Sequence, residues 1–159
     1  MRKVIIFSLL ALTFITQAFS QTSQLVGNWE NGNVGLIQYQ NQTTGAIRNG
    51  RSSYFSYKFL ANGNYEFVGL MEFNMYNCTT SYFNQVGGKY TVDGNEISLN
   101  PSRDLWKSTN SCAASGNKEV TKTPTPKTVE FQRKTDDYGN QLLCLTSDEG
   151  ETCYKRSTK

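Results

Sequence analysis

Histidine occurs nowhere in the 159 residues, which closes most routes to an activated nucleophile. Without an imidazole there is no Ser-His-Asp or Cys-His catalysis and no histidine-ligated metal. Carboxylates are the remaining acid–base candidates, and Glu66 and Glu72 fall on one alternating face of a strand-like segment. Six residues at about 3.3 Å each put them roughly 20 Å apart, beyond the roughly 5 to 9.5 Å spanned by the carboxylates of a glycosidase. No catalytic residue is assigned, no cofactor is expected, and the chain reads as a binding protein rather than an enzyme.

The four cysteines, Cys78, Cys112, Cys144 and Cys153, are the other reactive side chains. Neither a C-x-x-C spacing nor a histidine accompanies them, so a zinc site is not expected and no metal ligand is assigned. Four cysteines allow three disulfide connectivities. Cys144 and Cys153 flank Ser147-Asp148-Glu149-Gly150 symmetrically, and a hairpin centred between Asp148 and Glu149 sets them opposite each other. Cys78 is then left to pair with Cys112.

An oxidising destination for those bridges is written at the N-terminus. Arg2 and Lys3 precede the largely apolar run Val4 to Ile15, and Ala18-Phe19-Ser20 places small residues at both positions a signal peptidase reads. Residues 1–20 therefore read as a signal peptide and 21–159 as one domain that is secreted or periplasmic. The apolar run is shorter than the about twenty residues of a spanning helix, so stable membrane insertion is not expected. Two of the sixteen basic residues lie in the signal, which leaves fourteen against thirteen acidic ones. Lys118, Lys122, Lys127, Arg133 and Lys134 are spread out with acids between them, so a solvated face is expected and nucleic acid is not a partner.

Short runs of β-branched and aromatic residues, punctuated by glycine and asparagine, position these groups on strands. Leu25 to Glu30 and Val34 to Tyr39 read as the first two. Tyr54 to Leu60 leads into Asn62-Gly63, a strong hairpin signal, and Tyr65 to Asn77 follows as a long strand. Ser81 to Val92 returns through Gly87-Gly88, where a bulge or sharp bend is expected, and Asp93-Gly94 makes a second hairpin. Glu96 to Leu99 ends at Pro101, Arg103 to Ser108 adds a short strand, and Asn110 to Pro126 reads as a long polar loop. Lys127 to Thr135, Gln141 to Thr146 and Thr152 to Arg156 close the chain. Eight to ten strands joined in sequence fit an all-β, antiparallel up-and-down β-barrel, with a β-sandwich as the alternative.

Gly27-Asn28-Trp29 on the first strand, with Arg156 on the last, resembles the lipocalin and wider calycin pattern. The phrases Phe59-Leu60-Ala61-Asn62-Gly63-Asn64-Tyr65 and Gly88-Lys89-Tyr90-Thr91-Val92-Asp93-Gly94-Asn95 are similar to those of bacterial lipocalin-like domains. The turn motif of the larger animal lipocalins and a helix after the last strand are both missing. The resemblance implies a lipocalin-like barrel over about residues 25–156, with Trp29 at its closed end and Arg156 packed across the indole in a structural cation–π contact. It also implies a transport-like binding role.

A small hydrophobic or amphipathic ligand inside the barrel is the expected partner, with Phe55, Tyr57, Phe59, Phe67, Met71, Phe73 and Tyr90 as candidate ligand-binding residues. The same side chains could instead fill a narrow eight-stranded interior. The alternative function is a recognition or inhibitor module that binds a protein or glycan through outward tyrosines such as Tyr54, Tyr76 and Tyr82.

Overall fold

The computed structural model describes residues 24–33, 38–40, 47–49 and 52–157, so the signal peptide assigned to residues 1–20 lies outside the described residues. Eleven strands follow in order: β1 (Gly27–Asn33), β2 (Gln38–Gln40), β3 (Ile47–Asn49), β4 (Ser52–Phe59), β5 (Asn64–Met75), β6 (Cys78–Asp93), β7 (Glu96–Asn110), β8 (Lys118–Thr121), β9 (Lys127–Thr135), β10 (Gln141–Ser147) and β11 (Gly150–Arg156). Nine of them form one antiparallel sheet in the order β6-β5-β4-β1-β11-β10-β9-β7-β8, and β6 also pairs with β7. That added pairing closes eight strands into a ring, with β8 joined only to β7. β2 and β3 form a separate pair.

Turn chemistry sets most of this connectivity. Gly63 and Gly94 take φ of 78° and 57° in the two hairpins expected from Asn62-Gly63 and Asp93-Gly94. Between β5 and β6 the loop is only Tyr76-Asn77, both with positive φ (49° and 65°), the backbone a two-residue primed turn needs. A tyrosine there carries no sequence signal for a turn, which is why the preceding strand reads as running on to Asn77.

Side chains that alternate inward build the core. Trp29, Phe59, Ile97, Leu99 and Leu143 are almost wholly excluded from solvent, joined by Tyr57, Tyr65, Tyr90 and Tyr154. Tyr90 meets Phe59 edge-on at 5.0 Å and Tyr154 meets Tyr57 edge-on at 5.3 Å, geometries favoured by the ring quadrupoles. Leu143 stands opposite Tyr154 and Leu145 opposite Thr152, the register read from the Ser147–Gly150 turn. The bridges join Cys144 to Cys153 and Cys78 to Cys112, and no cysteine is free.

Three expectations change. Pro101 does not end a strand, because β7 runs through it from Glu96 to Asn110. On the side away from β6, β7 pairs with β9 up to Leu99 and with β8 from Leu105, so Pro101 sits where no ladder partner needs its missing N–H. The polar segment 110–126 is not all loop: it holds a short 3-10 turn, Ala114–Gly116, and the exposed strand β8. Tyr82 is half-buried rather than free on the outer surface, since it stands opposite Met71 and packs against Phe73 and Trp106. The cause of the shift in β7 is a bulge between Gly87 and Gly88, where a Cβ on Gly88 would come within 2.2 Å of the Asn100 carbonyl oxygen.

Candidate ligand-binding site

Two places inside the ring combine aromatic surface with charge. The first is the seam where the terminal strands meet, with Trp29 opposite Arg156 on β11. The indole N–H donates to the Leu25 carbonyl at 2.7 Å, which satisfies the one polar atom of a side chain with no exposure. The Arg156 guanidinium lies 5.5 Å from the ring centroid, and Arg133, from β9, lies closer at 4.7 Å. Both anchor to backbone: Arg156 donates to the Val26 carbonyl at 3.2 Å, and Arg133 donates to the Gln24 carbonyl and to Gln141. Gly27 takes φ of 139°, a conformation closed to other residues, and its Cβ position would lie 3.4 Å from Arg156. The glycine and tryptophan of the G-x-W triplet thus have separate jobs: Gly27 supplies the positive φ, and Trp29 lies beneath the guanidinium. The sequence reading puts Arg133 on a solvated face; it is the pairing of β9 with β10, Arg133 opposite Leu143, that brings it to this seam instead.

The second place is a cavity of about 220 Å³ behind the unpaired stretch of β7. Its apolar lining is Phe67, Val86 and Pro101, and its polar lining is Asn84, Asp104, Thr125 and Lys127, with Tyr57 and Tyr65 contributing to both. Lys127 is exposed as a residue, yet its ammonium reaches in to donate to the Tyr57 hydroxyl at 3.3 Å. Burial lowers the pKa of that ammonium, and the field of Glu149 partly opposes the shift. Asp104 accepts from the Asn84 amide at 2.8 Å, and the same amide donates to the Leu105 carbonyl at 3.1 Å.

The seven candidate ligand residues divide between three settings. Tyr57 and Phe67 line the cavity, 4.8 Å apart between centroids, and Phe55 stacks behind Phe67 at 6.4 Å. Phe59 and Tyr90 are buried in the core rather than at the cavity, with the Tyr90 hydroxyl donating to the Leu60 carbonyl at 3.0 Å. Met71 and Phe73 stand on the part of β5 that continues toward the Tyr76-Asn77 turn as β4 ends, where they are exposed. Phe73 meets Tyr82 there, and Tyr82 in turn meets Trp106, over which Lys122 places its ammonium at 5.4 Å. Tyr65, Asn84 and Val86 lie on the inward parity of β5 and β6 and could have been found from the hairpin register. Asp104, Thr125 and Lys127 could not, since they meet only where β9 parts from β7.

Tyrosine ionisation gives a direct check on this interior. Burial pushes Tyr57 up to about 12, and burial together with Tyr57 and Asp104 pushes Tyr65 to about 12. Both raised values favour the neutral phenol in the folded protein. The stabilisation is therefore complete below the ordinary phenol value of about 10 and is lost as pH rises through the folded value of about 12. Two pH units correspond to roughly 3 kcal/mol for Tyr57. A spectrophotometric phenolate titration should show a late ionising group coincident with loss of near-ultraviolet circular dichroism. Completion of all phenolate formation near pH 10 in the still-folded protein would contradict this burial.

Comparison with known proteins adds no relative: no family model, curated protein or solved structure matches the chain.

Proposed function

We propose that this chain is an exported, lipocalin-like up-and-down β-barrel that binds, without catalysis, a small amphipathic molecule in the cavity lined by Tyr57 and Lys127. The observation that carries this reading is a partly open cavity, lined by aromatic side chains of β4 and β5 together with polar groups of β6, β7 and β9. Its volume, about 220 Å³, is below the roughly 300 to 1,000 Å³ of drug-sized sites and equals the share of about seven waters, which suits a small ligand. Polar groups among the lining residues favour an amphipathic over a purely hydrophobic occupant. Two disulfides support an oxidising compartment, secreted or periplasmic, and no described helix is long and apolar enough to cross a membrane. The two carboxylates of β5 support binding over catalysis, because each is engaged elsewhere: Glu66 with Arg103 and Gln85, Glu72 with Ser52 and Ser81.

Native mass spectrometry of protein purified from its own host tests the reading. A small molecule should travel with the protein and be lost from a Val86→Trp variant, whose indole would occupy the cavity. Its absence over several preparations, or its retention by the filled variant, would overturn the assignment. That outcome would favour recognition of a protein or glycan by the hairpin tip, where Met75 and Tyr76 are 70% and 93% exposed beside Phe73.

A further inference from the structure

Asp104 and Lys127 line one cavity, yet neither forms an ion pair among the described residues. The backbone explains why they stay apart. Lys127 is opposite Leu99, the last residue of β7 paired to β9, whereas the Asp104 carbonyl accepts from the Lys122 amide, where β7 turns to β8. They therefore stand at opposite ends of the unpaired window in β7. Five strand residues separate the Leu99 and Asp104 positions, about 16 Å of backbone at about 3.3 Å each. The flexible lysine stem shortens that span within the cavity, and Phe67, Val86 and Pro101 lie along it.

A ligand group of opposite charge gains a charge-assisted hydrogen bond at each of these side chains, and such bonds are stronger than neutral ones. The charges that line the cavity without an ion-pair partner are one of each sign. An anion alone would meet Lys127 but repel Asp104, and an amine alone would do the reverse. From this placement we infer that the ligand is a small zwitterion, its anionic group on the Lys127 ammonium and Tyr57 hydroxyl, its cationic group on Asp104, and its hydrocarbon segment against Phe67 and Val86. Asn84 holds the Asp104 carboxylate in place.

The inference rests on the cavity being a binding site, and calorimetry with chosen probes separates the two claims. The probes are unbranched ω-amino acids of three to eight carbons, with the carboxylic acid, the amine and the alcohol of matching length, titrated into the full secreted chain. One ω-amino acid length should bind at least tenfold more tightly than its three congeners. Lys127→Gln should reduce that preference to the level of the amine, and Asp104→Asn to the level of the acid. Unchanged circular dichroism and thermal midpoint would show that both variants fold. Equal binding of the acid, amine or alcohol by the unaltered protein, or no effect of either substitution, overturns the zwitterion. A co-purifying ligand with no binding of any charged probe overturns it too while leaving the cavity reading intact; no ligand and no probe binding removes both.

Discussion

Trp29→Ala is expected to cost about 3 to 5 kcal/mol, the range for truncating a large buried aromatic side chain. In a domain of this size that loss should lower the thermal midpoint by roughly 10 to 20 °C. The indole is fully buried, its N–H is bonded to Leu25, and guanidiniums from two strands rest against it. Removing it leaves a void and also strips the aromatic partner from two like charges, whose mutual field already lowers the Arg133 pKa after the larger effect of burial. Trp29→Phe should lose less, since a ring remains for both cations while the bond to Leu25 is gone. Tyr138→Ala, at a side chain 90% exposed, is the control and should shift stability by no more than about 0.5 kcal/mol. A midpoint for Trp29→Ala equal to that of the control would remove the indole from its place as the plug of the seam.

The hairpins were readable because a two-residue turn with glycine at positive φ leaves little choice of register, as at Asn62-Gly63 and Asp93-Gly94. From there alternation assigns Tyr57, Phe59, Tyr65 and Phe67 to one face, and the Ser147–Gly150 turn does the same for Leu143, Leu145 and Tyr154. What alternation cannot give is the distance along the ring at which a strand loses its neighbour. Met71 and Phe73 have the same parity as Phe67, but β4 ends at Ser52, opposite Glu72, so those side chains emerge beside a ribbon rather than inside a ring. The inward face was legible, and how far the ring encloses it was not.

The cavity shows the same limit at its other wall. Lys127 follows Pro126 and looks like one more solvated cation, while Asp104 looks like a surface acid between Arg103 and Leu105. Their approach to one space depends on a β7 strand that passes through Pro101 and exchanges β9 for β8 as its neighbour. No short-range pattern encodes that exchange, because β8 is exposed along its whole length and is held by pairing to β7. The Gly87-Gly88 signal located the bulge but not its consequence, which is to move the upper half of β7 by one residue relative to β6.

That one-residue shift is also what permits the second bridge, and removing the bridge should be nearly as costly as removing the indole. Above the bulge Thr80 stands opposite Asn110, so two further positions set Cys78 against Cys112; on the register of Lys89 and Asn100 below it, Cys78 would face Ser111. The bridge closes 34 residues, against 9 for Cys144–Cys153. Chain-entropy estimates give about 3 to 4 kcal/mol for the long loop and about 2.6 kcal/mol for the short one. The paired substitution Cys78→Ser with Cys112→Ser should therefore lower the urea midpoint more than Cys144→Ser with Cys153→Ser, at an unchanged slope. Hydrogen exchange should quicken first around the Tyr76-Asn77 turn, because past Ser52 the β5–β6 hairpin is no longer flanked by β4 and is held to β7 through the ladder and this bridge. Phe73 and Tyr82 ride on that ribbon and Tyr82 packs against Trp106 of β7, so the near-ultraviolet signal of the three should weaken before the global transition. A smaller loss than for the short-loop pair would mean that the long bridge acts on the folded ribbon alone and hardly restrains the unfolded chain.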